Sequence, residues 1–456
     1  MFLNKNERLR VGIVGCGISN LGVVEYLNSK GIPYSLTVRS KNTPSELPKG
    51  TFIERIFTGD AHLFAIDEDI LFLSPTARRD APEFLLAASR GTKIFSDAEL
   101  FFSLAEKPIL TVTGTDGKST TATIAAKLLR ATGMKVELCG NIGRSLSQTL
   151  KILDTDAYVT ELSSFQLMSF TPKSQAALIT NISENHLDWH KSMEEYIGAK
   201  ENAISCAERR IVCADSPLCI PLIKKYGIDT VYSTRRSDEE LSALGSKNRL
   251  SRFGGYIIKN GEPYLSEAGI LLSQEHFLSD YLAAIALVGD RLRPDAFYSV
   301  SSTFGGLEHR ASRIGTYGGV EYIDSSIDST PTRTLATLRS MSKRVILILG
   351  GRGKNLSYDE LLLNLEQHTK AVVLTGEMGK VLYQRIEKSE SLKRELVYTY
   401  EKSFDDAVRA AARIAAPGDT VLLSPAATSH DAFKNYKARG ERFAELAKMV
   451  IIKEKI

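Results

Sequence analysis

The most constraining run in this chain is TGTDGKST, Thr113 to Thr120. It follows an apolar strand pattern, PILTVTG (Pro108 to Gly114), and opens a helical pattern from Ser119 to Thr132. A strand that turns through glycines into a helix crowds backbone N–H groups around one point and adds the positive end of the helix, which suits a polyphosphate. Gly114 and Gly117 supply the turn. Lys118 is placed to reach the β- and γ-phosphates of ATP, and Ser119 to ligate Mg²⁺. Thr115, Asp116 and Thr120 complete the run. Thr113 stands where the general phosphate loop has its first glycine, so this loop is a shortened variant.

A chain of 456 residues exceeds the roughly 250 to 300 residues that one core serves. Three alternating strand–helix patterns divide it. The first contains RVGIVG (Arg10 to Gly15), YSLTVR (Tyr34 to Arg39) and ILFLSP (Ile70 to Pro75). The second has strands at AYVTEL (Ala157 to Leu162), AALIT (Ala176 to Thr180) and RRIVCA (Arg209 to Ala214), and an Asn260-Gly261 hairpin signal. The third has VEYIDS, RVILILGG, AVVLTG, LVYTY and DTVLLSP. Such alternation predicts parallel sheets covered by helices. The expected class is α/β in three domains: a Rossmann-like domain over 1–105, a central P-loop domain over 106–306 with a small antiparallel appendage, and a Rossmann-like domain over 307–456.

Composition excludes several classes. With 43 % apolar and 25 % charged residues the chain shows no disorder signature, and a charge of +4 spread among acidic residues does not imply nucleic acid. No stretch approaches the ~20 apolar residues of a membrane span, and the N-terminus lacks an apolar h-region, so a cytoplasmic protein without membrane insertion is expected. The five cysteines contain no CxxC pair, which suggests neither a disulfide framework nor a zinc site.

Two segments at strand ends join the phosphate loop: ELSSFQL (Glu161 to Leu167) and NISENHLDWH (Asn181 to His190). Ligands of open parallel sheets gather outside the carboxyl ends of strands, so Glu161 and His186 are candidate Mg²⁺ ligands. Each considered alone is a solvated carboxylate or an ordinary loop histidine. In GCGISN, Gly15 and Gly17 precede a helix. The third fingerprint position is Asn20, however, and the next strand ends in TVR rather than an acid, which disfavours NAD.

TGTDGKST, GNIG (Gly140 to Gly143), ELSSFQL, NISENHLDWH, AKEN and GLEHR, in this order, resemble the Mur ligase family over essentially the whole chain. The run LSPAATSHDAFKNYKARGERFAEL (Leu423 to Leu446) and ILGGRGKNLSY (Ile348 to Tyr358) most resemble the branch that joins D-glutamate to UDP-N-acetylmuramoyl-L-alanine, and the DNPR motif of the branches adding diaminopimelate or lysine is absent. The resemblance implies that a substrate carboxylate attacks the γ-phosphate of ATP and that the amine of D-glutamate attacks the resulting acyl phosphate, in peptidoglycan precursor synthesis. It implies a carbamylated Lys200 near a second magnesium, with Lys118, His186 and Lys200 catalytic. Asn141 and His186 would meet substrate or metal, Arg310 the ATP phosphates and Asp324 the ribose. It further implies Gly17, Ser19, Arg39 and Ser74 around the UDP end of the substrate, and Lys354, Ser429 and Tyr436 around D-glutamate. A monomer is expected.

Several positions depart from that pattern. Phe277 and Asp280 stand where the family usually has asparagines, Thr37 where it has aspartate, Thr76 where it has glycine and Ser326 where it has lysine. Asp328 or Ser329 stands in place of a threonine near D-glutamate, and an aspartate there repels an acidic substrate unless turned away or paired. Two competing readings share the central motifs: another amide ligase of the superfamily, such as a folylpolyglutamate synthase, which lacks a UDP site, and a P-loop ATP-binding regulatory protein that ligates nothing.

Overall fold

The computed structural model describes residues 9–15, 17–38, 52–187, 189–353 and 356–453. Among them the strands form three sheets. The first comprises β1 (Val11–Val14), β2 (Tyr34–Val38), β3 (Ile53–Thr58), β4 (Ile70–Leu73) and β5 (Lys93–Ser96). Its order is β3-β2-β1-β4-β5 and every pairing is parallel. Runs such as VGIV and ILFL are buried at every position, as sheets covered on both faces require.

The second sheet holds β6 (Ile109–Thr113), β7 (Val136–Gly140), β8 (Ala157–Glu161), β9 (Ala176–Ile179), β10 (Arg209–Cys213), β11 (Thr230–Tyr232), β12 (Asn248–Phe253), β13 (Tyr256–Lys259) and β14 (Glu262–Ser266). The order β14-β13-β12-β11-β10-β9-β6-β8-β7 puts β6 between β8 and β9. The antiparallel hairpin expected at Asn260-Gly261 is present, with φ of +54° and +90° at these residues. It continues the edge of the parallel sheet through β12, where the sequence suggested an appendage.

The third sheet contains β15 (Ser312–Tyr317), β16 (Val320–Asp324), β17 (Val345–Gly350), β18 (Thr369–Thr375), β19 (Tyr398–Glu401) and β20 (Thr420–Leu423), in the order β15-β16-β20-β17-β18-β19. The β15–β16 pair is antiparallel and the other pairings are parallel. Apolar clusters cover both faces, one around Phe404, Val408 and Phe443, the other around Leu335, Leu361 and Leu382. The helix Phe404–Ile414 shows why: Phe404, Ala407, Val408 and Ala411 fall at helical spacing on its buried side.

The chain divides into two compact units, Met1–Phe304 with the first two sheets and Gly305–Ile456 with the third. Within the first unit, Gly22 lies against Ser145 and Ser147, where a Cβ would come within 2.9 Å of both side chains. Glu25 there accepts from Gln148 Nε2 at 3.0 Å and Lys151 Nζ at 2.5 Å.

Candidate active site

The phosphate loop lies at the carboxyl end of β6, where the chain turns from β8 on one side to β9 on the other. Such switch points are the usual crevices of open α/β sheets. Gly114 (φ +147°) and Gly117 (φ +77°) hold backbone conformations that favour glycine. Their neighbours forbid a side chain as well, since a Cβ on Gly114 would collide with Thr180 Oγ1 and one on Gly117 with Asp280 Oδ1. The helix Lys118–Ala131 begins at once.

The segment after β9 braces the loop. Thr115 N donates to Asn181 O at 2.9 Å and Asp116 N to Asn181 Oδ1 at 3.0 Å. Thr180 Oγ1 and Asn181 Nδ2 both donate to Asp116 O, at 2.6 and 3.2 Å. Thr115 Oγ1 meets Tyr196 OH at 2.9 Å and accepts from Ser183 N at 3.0 Å. Thr121 Oγ1 donates to buried Asp280 Oδ1 at 3.0 Å. Asp280, one of the substituted asparagine positions, thus holds the first turn of the phosphate-loop helix. Ser119 is half-buried and Thr120 buried at the start of that helix.

Lys118, Glu161 and Lys200 meet around this loop. Lys118 Nζ donates to Thr115 O at 2.7 Å. Lys200, on the helix Met193–Ser205, is 1 % exposed, donates to Gly114 O at 2.5 Å and lies 4.5 Å over the Tyr196 ring. Burial pushes its pKa well below that of an ordinary lysine and the charge of Lys118 adds to the effect, while Asp116, Cys219 and Glu161 oppose it. Glu161 closes β8 and is 3 % exposed, with Oε2 lacking a hydrogen-bond partner. Asn141, exposed after β7, donates its backbone N–H to Glu161 O at 3.0 Å.

A buried carboxylate oxygen without a donor fits a cation, and Mg²⁺ needs only one or two protein carboxylates beside water and phosphate oxygens. Among the described residues no three His, Cys, Asp or Glu side chains gather as a metal nest, so such a site would rely on Glu161, Ser119 and the nucleotide. His186 stands exposed on the same braced loop at φ +57°, with the Phe165 ring 4.9 Å away, edge to face.

In the first sheet the switch point falls between β1 and β4. Gly15 and Ser74 face each other there, a Cβ on Gly15 coming within 2.9 Å of Ser74 Oγ. Gly17 caps the helix Ile18–Lys30, and Ser19 is half-buried in its first turn. Asn20 fastens the loop, donating to Val14 O at 3.0 Å and Gly15 O at 2.9 Å. Thr37 is bonded to His62 Nε2 at 2.7 Å. Arg39 and Lys354 lie outside the described residues.

In the second unit Arg310 is exposed, while its neighbour His309 (φ +63°) meets buried Asp324 Oδ2 through Nδ1 at 2.6 Å. Asp324 Oδ1 accepts from Ser326 N at 2.8 Å. Both oxygens expected near a ribose are therefore engaged within the unit. Ser326 Oγ donates to Tyr436 O at 2.8 Å and accepts from Arg439 Nε at 3.0 Å. Arg439 is buried, which brings its guanidinium down to about 10. Ser429 is buried and half-buried Tyr436 opens the helix Tyr436–Lys453. Asp328 is paired inward: its Oδ2 accepts from Thr337 Oγ1 and Ser424 Oγ, both at 2.8 Å. Its carboxylate is therefore turned into the unit, held by hydroxyls that leave its charge in place.

Sequence reasoning missed Asn181, Tyr196, Asp280 as a brace, and Arg439. Asn181 lies in a quoted motif and Asp280 was marked as a substitution, but neither pattern indicates which backbone groups the side chains reach.

Known proteins bear on this arrangement. Residues 112–288 match a profile described as the Mur ligase middle domain, and residues 309–427 one described as the Mur ligase glutamate ligase domain. A UDP-N-acetylmuramoylalanine–D-glutamate ligase from Acetivibrio thermocellus is 36 % identical, covering 98 % of this chain and 98 % of the relative. One of the same description from Ruminiclostridium cellulolyticum is 33 % identical, covering 97 % and 96 %. Among solved structures, a UDP-N-acetylmuramate–alanine ligase from Thermotoga maritima shares the fold with a TM-score of 0.57 at 19 % identity, covering 97 % of this chain and 100 % of its own. With both profiles and full-length relatives in agreement, this chain belongs to the Mur ligase family.

Proposed function

We infer that this protein is an ADP-forming ligase that joins D-glutamate to UDP-N-acetylmuramoyl-L-alanine through an acyl phosphate, in peptidoglycan precursor synthesis. Relatives spanning nearly the whole chain, themselves UDP-N-acetylmuramoylalanine–D-glutamate ligases, support the substrates. The observation that carries the chemistry is the phosphate loop beside the buried Lys200 amine and the partnerless Glu161 oxygen.

Phosphoryl transfer needs charge-stabilising groups fixed around the γ-phosphate and little covalent help. In this reading Thr113 to Thr120 wrap the phosphates, Lys118 leaves Thr115 O for them, and Arg310 adds a guanidinium suited to oxyanion charge. Ser119 and Glu161 would hold Mg²⁺, with His186 as a further candidate ligand; the bound ion would offset negative charge developing on the phosphates. A neutral Lys200 amine adds CO₂ and releases a proton, giving a carbamate that serves as a further anionic ligand. Gly17, Ser19, Arg39, Ser74 and Asn141 would hold the UDP-sugar substrate, and Lys354, Ser429 and Tyr436 the D-glutamate, within domains bounded at 105/106 and 306/307. One chain supplies every part, so a monomer suffices. Its ATP requirement suits the cytoplasm; among the described residues no helix is long and apolar enough to cross a membrane.

The test is phosphate release from ATP with UDP-N-acetylmuramoyl-L-alanine, comparing D-glutamate, L-glutamate, D-aspartate and diaminopimelate. D-glutamate should give by far the fastest release. Release that is indifferent to the UDP-sugar would reject the reading.

A further inference from the structure

Trp189 is the sole tryptophan of the chain, and its peptide joins three parts of the first unit. The indole Nε1 donates to Thr76 O at 3.1 Å, in the loop that leaves β4 through Ser74. The backbone N of Trp189 donates to His186 O at 3.1 Å. Its carbonyl accepts from Arg78 Nη1 at 2.8 Å, and the Arg78 guanidinium lies 4.8 Å over the indole.

The same guanidinium forks onto Glu195, with Nη2 to Oε1 at 2.8 Å and Nη1 to Oε2 at 3.1 Å. Glu195 stands in the first turn of the Met193–Ser205 helix, which carries Lys200. Phe165 supports the other side, edge-on to Trp189 at 4.6 Å and stacked on His190 at 5.7 Å. Arg78 and Glu195 side chains are each 18 % exposed, so water and salt screen the fork only partly. The carboxyl of Glu195 is accordingly held down to about 2, chiefly by the Arg78 hydrogen bond.

His186 needs such support. A non-glycine residue at positive φ is strained and persists only where its surroundings over-determine it. At His186 the surroundings are the Trp189 and His190 N–H groups on its carbonyl, at 3.1 and 2.9 Å, and the Phe165 ring. Arg78 fixes the Trp189 peptide, and Arg78 itself belongs to the loop leaving β4.

We propose that Arg78 is a positioning residue that acts through the Trp189 peptide. It makes the setting of His186 and of the Lys200 helix depend on the Ser74–Arg78 loop, so that a UDP-linked substrate on this loop orders the catalytic loop before phosphoryl transfer. The inference rests on the reading that the first sheet holds the UDP end. For the link to act, the bound substrate must favour one setting of the loop over another.

The full chain contains its own reporter, since all tryptophan emission comes from Trp189. Titration with UDP-N-acetylmuramoyl-L-alanine should change that emission with the midpoint found by calorimetry. In Arg78→Met the calorimetric affinity should stay within a few-fold. The emission change should shrink by more than half, and kcat should fall about two- to thirtyfold, the range of typical coupling effects, with KM for ATP unaltered. Arg78→Lys, which keeps the charge but not the fork, should fall between, and Glu195→Gln should give the same split. Folded content is checked by circular dichroism.

The link is overturned if Arg78→Met keeps the full emission response, or if kcat falls only as far as folded content does. Calorimetric binding to the wild-type chain with silent emission overturns the link while the UDP reading stands. Absence of calorimetric binding removes both.

Discussion

A lysine amine buried beside a second cation gives up its proton more readily, and Lys200 is in that position, near Lys118 and bonded to Gly114 O. The neutral amine is the form that combines with CO₂. Lys200→Ala should therefore lose most ligation and regain part of it with formate or acetate, which can stand in for a carbamate; an alanine variant active without rescue would refute the assignment. His309 shows the opposite shift, its pKa raised chiefly by the hydrogen bond to Asp324, against the effect of burial. A raised histidine pKa stabilises the fold fully below the unfolded value of about 6.5 and loses that contribution as pH rises through the folded value. The stability gap between wild type and His309→Gln, measured by urea unfolding, should thus be larger at pH 6 than at pH 9. An equal gap would show that the pair does not titrate as described. Residue positions were legible where a motif fixes them, as in Lys118 and Glu161, which the structure brings to the phosphate loop and to the end of β8. The roles of Asp280 and Asp328 were not, because an aspartate's meaning depends on which hydroxyls surround it, and only folding brings Thr121, Thr337 and Ser424 to them.

At the scale of elements, the phosphate loop is defined as much by its neighbours as by its glycines. Gly117→Ala meets two obstacles, the positive φ, worth about 1 to 2 kcal/mol for a side chain, and Asp280 Oδ1 in the path of the new Cβ. Lower thermal stability and a raised KM for ATP are expected, with partial recovery in Gly117→Ala/Asp280→Ala. Recovery of neither would show that the carboxylate is not the obstacle. Buried runs such as VILILG and the Asn260-Gly261 turn announced their elements in the sequence, since continuous apolar stretches and positive-φ turns leave few alternatives. Strands β3 and β15 did not. IERIF and SRIGTY expose much of their length at sheet edges, so their composition carries little apolar signal.

For the whole molecule, the order of domains was readable because three strand–helix series follow one another, each with its own motif. The structure adds that the first two sheets share one compact unit, Met1–Phe304, joined by contacts such as Glu25 with Lys151 that no pattern in either series foretells. Among the described residues the nine-stranded sheet ends at β14, and the residue paired with Ile258 on that edge is Pro263. The two-residue turn makes Lys259 and Glu262 the hydrogen-bonded pair, so the next residue along, Pro263, turns its nitrogen outward. It has no hydrogen to offer there. A neighbouring copy that tried to extend the sheet would meet a gap in the row of donors, the kind of blunting that keeps edge strands from pairing. Pro263→Thr should restore the donor and give concentration-dependent association in sedimentation velocity; a variant sedimenting like wild type at every concentration would show that this edge is guarded by something else. An imino acid, with the bulge between Ile257 and Ile258 and the Ser266 N–H taken up by Tyr298 OH, thus leaves the largest sheet little to offer a neighbouring copy.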